Sequence, residues 1–300
     1  VCRDKAALLV AMLRLADLPA YPVLIHAGEK RDPEVPQPYF NHAVVAVAND
    51  DGSYTLMDPT DENAADIFPA YLCNRSYLVA HPEGEPLRTS PIIPAERNMM
   101  TIAGAGRLDA EGGLRASATL TFGGINDTAY RNHFAGLKPE ERRRFFEGAI
   151  KRRMPGASVT SCVIEPADVR DTATPLSVRL EYETPRMTIA GDGRLMLPLP
   201  WLGSSIGYAN FVIGQTGLDV RRYTLETDVA CGIEESFELD LPANGWEPVV
   251  LPATPRIESD LLSFSADTTL EGGRLTARAR FAIEAVAFPP ERYLELKQTL

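Results

Sequence analysis

The stretch RASATLTF, residues 115–122, constrains the fold most. It places Ala116, Ala118, Leu120 and Phe122 on one side and Ser117, Thr119 and Thr121 on the other. A period of two is the pattern of a strand with one buried and one wet face. SVRLEYET at 177–184 alternates in the same way, and SFELDLP (236–242), LLSFSAD (261–267) and RLTARARFAI (274–283) read as further strands. Apolar strand faces need helices or other strands to cover them. A chain of 300 residues exceeds most single cores, so two or three domains are expected.

Helical signals are fewer. Residues 3–16 are rich in Ala, Leu and Met around most of the circumference, which predicts a buried helix ended by Leu18-Pro19. KPEERRRFFEGAIKRRM (138–154) predicts a second, with Pro139 in its first turn, and PPERYLELKQTL (289–300) a closing one. Between the first helix and the alternating strands, YPVLIHA (21–27), NHAVVAVA (41–48) and YTLMDPT (54–60) read as strands. GEKRDPEVPQPYF (28–40) is a polar loop, NDDGS is a turn, and the Pro-rich 61–100 reads as an exit and linker. The fold class is α+β. The expected domains are 1–98, an α+β module at 99–218, and a small antiparallel β-sandwich at 219–300. LDAEGGLRASATLTF and TTLEGGRLTARARF share an EGG turn, read as convergence on a favoured turn.

Composition narrows the partners. A net charge of −11 argues against nucleic acid, which wants a basic face. The longest apolar run, RLMLPLPWLGSSIGYANFVIG (194–214), is broken by prolines and glycines, so it reads as a buried loop and strand edge and no membrane insertion is expected. Cys2, Cys73, Cys162 and Cys231 are widely spaced, with no CxxC and no Cys/His cluster, so no metal is expected. The GAG at 104–106 is a lone glycine pair rather than a phosphate loop, and no cofactor is implied.

One constellation carries chemistry. If 41–48 pairs with 54–58 around a turn centred on Asp50, Val44 faces Leu56 and His42 faces Asp58 on one side of the hairpin. A one-residue slip would separate them. A carboxylate beside an imidazole sets its tautomer and stabilises its protonated form. Cys2 precedes the first helix, where free N–H groups and the dipole lower a thiol's pKa. Cys2, His42 and Asp58 would then be nucleophile, base and orienter, with the Cys2 N–H as an oxyanion donor. Read singly, each has a plainer role: Cys2 a buried inert thiol, His42 a surface or capping residue, Asp58 a turn former before Pro59.

CRDKAALLVAMLRLADLPAYPVLI, FNHAVVAV and YTLMDPTDE, taken in order, resemble the transglutaminase-like (papain-like) cysteine protease superfamily in its bacterial multidomain branch. The resemblance covers about residues 1–62 and implies Cys2 as nucleophile, His42 as general base and then acid, and Asp58 as orienter. Members carry more of the catalytic domain before the cysteine, including a side-chain oxyanion donor. With only Val1 ahead of Cys2, 1–98 is expected to be the C-terminal part of that domain, with an exposed apolar helix face. The implied activity is a cysteine peptidase or amidase working through a thioester on a peptide or protein amide, with hydrolysis favoured over crosslinking. The alternative is a catalytically idle scaffold whose β domains bind a protein or polysaccharide. A periplasmic or secreted location is expected by analogy.

The other polar residues read as structural. Asp4 and Lys5 fit capping and surface pairing, Asn41 a strand-entry turn, and Asp61 and Glu62 a solvated acidic loop. His26, His81 and His133 lack ligand spacing. Arg142–Arg144 and Lys151–Arg153 fit a solvated face of the second helix. Trp201 and Trp246 fit core or edge packing.

Overall fold

The computed structural model describes residues 1–28, 40–227, 229–243 and 249–299. The chain is α+β and divides into two compact units, Val1–Ile93 with Thr227–Val229, and Pro94–Glu226 with Ala230–Leu300. Most of the expected loop at 28–40, and Trp246, lie outside the described residues.

In the first unit, helix α1 (Cys2–Leu15) leads into strand β1 (Ala20–Ile25). Strands β2 (His42–Ala48), β3 (Tyr54–Met57), β4 (Ser76–Val79) and β5 (Arg88–Thr89) complete an antiparallel sheet ordered β3-β2-β1-β4-β5. Alternation divides β2 between two cores. Val45 and Val47 pack with Ala6, Val10 and Ala20 under α1. Val44 and Ala46 face the other way, with Val23, Ile25, Leu56 and Leu72.

Two expectations are corrected here. The first helix is not buried all round: Ala6 and Val10 are covered, whereas Leu8, Met12 and Leu15 are 63%, 57% and 87% exposed. A single sheet covers only one side of a helix. The segment 61–100 is no simple linker either, because β4 pairs with β1 inside the sheet. SYLV is too short, and too closely flanked by turns, to show a period.

The second unit is built on one eight-stranded sheet. Its strands are β6 (Met99–Leu108), β7 (Leu114–Phe122), β8 (Ser158–Glu165), β9 (Ser177–Thr184), β13 (Cys231–Asp240), β14 (Arg256–Glu258), β15 (Leu262–Glu271) and β16 (Arg274–Ile283). The order is β14-β15-β16-β13-β6-β7-β9-β8, with β13 parallel to β6 and the other neighbours antiparallel. The numbers β10 to β12 belong to the short strands Ile189–Gly191, Arg194–Met196 and Leu225–Glu226, and β17 is Ala287–Phe288.

The boundary expected at 218/219 therefore falls within one sheet's chain, and among the described residues the strands after it form no separate β-sandwich. The strands after 230 continue the sheet of β6, because β13 supplies the partner that β6 lacks on its open side. Helices α2 (Ile125–Ala135) and α3 (Pro139–Arg153) bring Tyr130, Phe134 and Phe146 to the apolar face, with the Tyr130 ring 4.7 Å from that of Phe122. Helix α2 escapes a sequence reading because its interior is polar: Asn126, Asp127 and Arg131 are buried, and Arg131 is held by Asp127 and three backbone carbonyls. Helices α4 (Ala209–Ile213) and α5 (Pro290–Thr299) follow. The EGG echo marks two different turns. Asp109–Gly113 spans a five-residue loop between β6 and β7, whereas Gly272 and Gly273, both at positive φ, form a two-residue turn between β15 and β16.

Candidate active site

Helix α1 begins at Cys2, with Val1 as N-cap; the Val1 carbonyl accepts from Asp4 and Lys5 N–H. Cys2 therefore stands in the first turn, where backbone N–H groups lack helical partners. The hairpin supplies what faces it. Residues 43, 45 and 47 direct their backbone groups toward β3, since Ala48 N–H, of opposite parity, bonds the Pro19 carbonyl beyond β1. Strand β3 stops pairing at Met57, opposite Val45. The Ala43 N–H, next in line, lies past the last β2–β3 pair and lowers the Cys2 pKa. The His42 ring, carried on β2, lowers the Cys2 pKa as well.

The hairpin register is displaced by two residues from the expected one. Ala46 lies opposite Leu56 rather than Tyr54, around a loop centred on Asp51. A shift of two preserves parity, so His42 and Asp58 remain on one face as diagonal neighbours. The His42 Nε2 lies 2.9 Å from Asp58 Oδ2. The other ring nitrogen, Nδ1, is the one left for the thiol. The Asp58 backbone N–H bonds the Ile67 carbonyl at 2.7 Å, which carries the chain out of the ladder.

Asp58 is saturated with donors. Its Oδ1 accepts from the Thr60 N–H at 2.9 Å and the Thr60 hydroxyl at 2.7 Å, and its Oδ2 accepts from the Tyr71 hydroxyl at 3.2 Å as well as from His42. The Asp58 side chain is fully buried, and that of His42 is 14% exposed. Burial would raise the carboxyl pKa, but the bonds from His42 and Thr60 outweigh it and hold Asp58 below the ordinary range. The Asp58 hydrogen bond raises the His42 pKa against the opposing effect of burial, and Cys2 adds to the rise.

Cys2 differs from the other three cysteines. Burial would raise its pKa, but the Ala43 N–H, the His42 ring and the Arg3 N–H together pull it down. Burial pushes Cys73 up to about 11 and Cys231 up to about 12, and it raises Cys162 as well. A lowered thiol beside a raised imidazole is the electrostatic pattern of a thiolate–imidazolium pair.

The remaining candidates take structural places. Asn41 exchanges two hydrogen bonds with the Ala27 backbone, tying the end of β1 to the start of β2. Lys5 pairs with Glu62 at 2.6 Å, Asp4 pairs with Arg3, and Asp61 accepts from the Asn63 N–H. Among the described residues the buried His26 Nδ1 has no partner; the His81 ring lies tilted 4.6 Å from that of Tyr21, and His133 packs on Phe134 and Phe145. Arg143, Arg144, Lys151, Arg152 and Arg153 are exposed, as a solvated face requires, while Arg142, Arg143, Arg152 and Arg153 also donate to backbone carbonyls, the last to that of Trp201. Among the described residues, no group of three or more His, Cys, Asp or Glu is placed to hold a metal ion, and no helix is long and apolar enough to cross a membrane.

Sequence reasoning missed Thr60, Tyr71 and the Ala43 N–H. Asp-x-Thr is a side-chain turn signal that could have found Thr60. Tyr71, on the single helical turn Ala70–Leu72, gives no local signal.

No family model matches the chain, and no curated protein matches it. Among solved structures it is similar to a crystal structure named as that of a "putative protease" from Parabacteroides distasonis. The identity is 11% and the TM-score 0.46, over 98% of this chain and 39% of the other. This chain thus spans well under half of that protein's length, and the chemistry rests on the geometry above.

Proposed function

We propose that the first unit belongs to a transglutaminase-like cysteine peptidase or amidase, with Cys2 as nucleophile, His42 as acid–base and Asp58 as orienter. The observation that carries this reading is the His42 ring held 2.9 Å from the buried Asp58 carboxylate, with Cys2 at the start of α1 and its pKa lowered in part by that ring. The thiolate forms a C–S bond to the carbonyl carbon, and the C=O π pair moves to oxygen. The Cys2 N–H at the helix start is the available oxyanion donor. Collapse breaks the C–N bond, and His42 passes its proton to the departing amine. His42 then takes a proton from water, which attacks the thioester and releases the thiolate. A peptide or protein amide is the substrate class, and a periplasmic or secreted location accords with it.

The test is the pH dependence of Cys2 alkylation by iodoacetamide, in wild type and His42→Ala, read on the Cys2 peptide by mass spectrometry. The expected result is an apparent thiol pKa well below about 8.5 that rises when His42 is removed. A thiol of ordinary pKa, indifferent to His42, would make Cys2 structural. It would turn the reading to an idle scaffold whose β strands bind a protein or polysaccharide.

A further inference from the structure

The Asp58 carboxylate has two oxygens, and its donors are not shared evenly in kind. Thr60 holds Oδ1 through both N–H and hydroxyl, which fixes the carboxylate in place. Tyr71 instead donates to Oδ2, the oxygen that receives His42. A donor present only to satisfy a buried carboxylate could sit on either oxygen. One on Oδ2 competes with the imidazolium for the same lone-pair density. The Tyr71 ring packs against the core of Val44, Ala46 and Leu56, so its hydroxyl is aimed by burial and not by the hydrogen bond alone.

Given the proposed cysteine chemistry, we infer that Tyr71 is a positioning residue that sets how strongly Asp58 draws on the His42 imidazolium, and so the upper pH limit of the thiolate–imidazolium pair. Burial, and then the Asp58 charge, push the phenol far above the ordinary tyrosine range, so it stays a donor across the working pH. The groups facing this cluster are Cys2 from α1, His42 from β2, and Asp58 and Asp61 from the chain after β3. Lys5 and Glu62, on the same elements, neutralise each other at 2.6 Å.

The test uses the full chain. In wild type, Cys2 alkylation against pH should show two steps: thiol ionisation beside imidazolium, then loss of the imidazolium proton. Tyr71→Phe keeps the ring and removes the competing donor. Its upper step should move up by a few tenths to about one pH unit, with the lower step unmoved. An NMR titration of the His42 ring protons, assigned with His42→Ala, should show the same rise. Fluorotyrosine at position 71 is a stronger donor and should move the upper step down. If wild type shows two steps that collapse in His42→Ala, while Tyr71→Phe superimposes on wild type or shifts downward, the inference is overturned and the cysteine reading stands. A single step insensitive to His42 overturns both.

Discussion

Glu235 lies on the covered face of β13, 5% exposed, and accepts from the backbone N–H groups of Leu202 at 2.6 Å and Gly203 at 2.9 Å. Close packing enforces the contact, since a Cβ on Gly203 would fall 2.9 Å from Glu235 Oε2. Burial is the largest influence on this carboxyl. It overrides the two N–H donors and Arg153 and pushes the pKa from near 4.5 up to about 7. The folded state therefore holds this proton more tightly than the unfolded chain. Above about pH 7 the ionised carboxylate costs the fold its full penalty, of order 3 kcal/mol from a rise of about two and a half pH units. As pH falls toward 4.5 the penalty disappears, so this group stabilises the fold on acidification. Between about pH 8.5 and about pH 5.5 the change is ~2 kcal/mol. Glu235→Gln keeps the shape and one acceptor but cannot titrate. Urea unfolding followed by tryptophan fluorescence, at both pH values and for both proteins, isolates the group because every other carboxylate cancels in the difference. Wild type should gain about 2 kcal/mol on Glu235→Gln when the pH is lowered. Parallel pH dependence in the two proteins would sink the argument, because Glu235 would then titrate alike in folded and unfolded chains.

Two further outcomes are expected. Asp58→Asn removes the charge that supports the His42 imidazolium, a bond of about 1.5–3 kcal/mol, so the raised His42 pKa falls and Cys2 alkylation near neutral pH should slow by about ten- to hundredfold. An unchanged rate would detach Asp58 from the thiol. Gly104→Ala puts a methyl 2.3 Å from Phe237 Cδ2 between adjacent strands, and should lower stability by about 1–3 kcal/mol in thermal unfolding; an unshifted midpoint would mean that the Phe237 ring yields freely.

The site was partly legible because its logic is local. A cysteine before a helix signal, and a histidine and an aspartate of equal parity on a hairpin, can be read from spacing alone. The register error of two residues did no harm to this face, since a strand repeats every second residue. Tyr71 could not be read in the same way. It reaches Asp58 across thirteen residues of irregular chain, and only the packing of that chain aims its hydroxyl.

The same division runs through the fold. Alternation in 115–122 and 177–184 determined which faces of those strands are buried, because side-chain parity is a property of the backbone itself. It left open how the strands are ordered. That the segments before and after 218 share one sheet rests on the parallel pairing of β6 with β13, more than a hundred residues apart in sequence. Hydrogen bonds between such strands are the same whichever neighbour supplies them. Only the competition among all edges for partners, settled by which arrangement covers the apolar faces, selects that order.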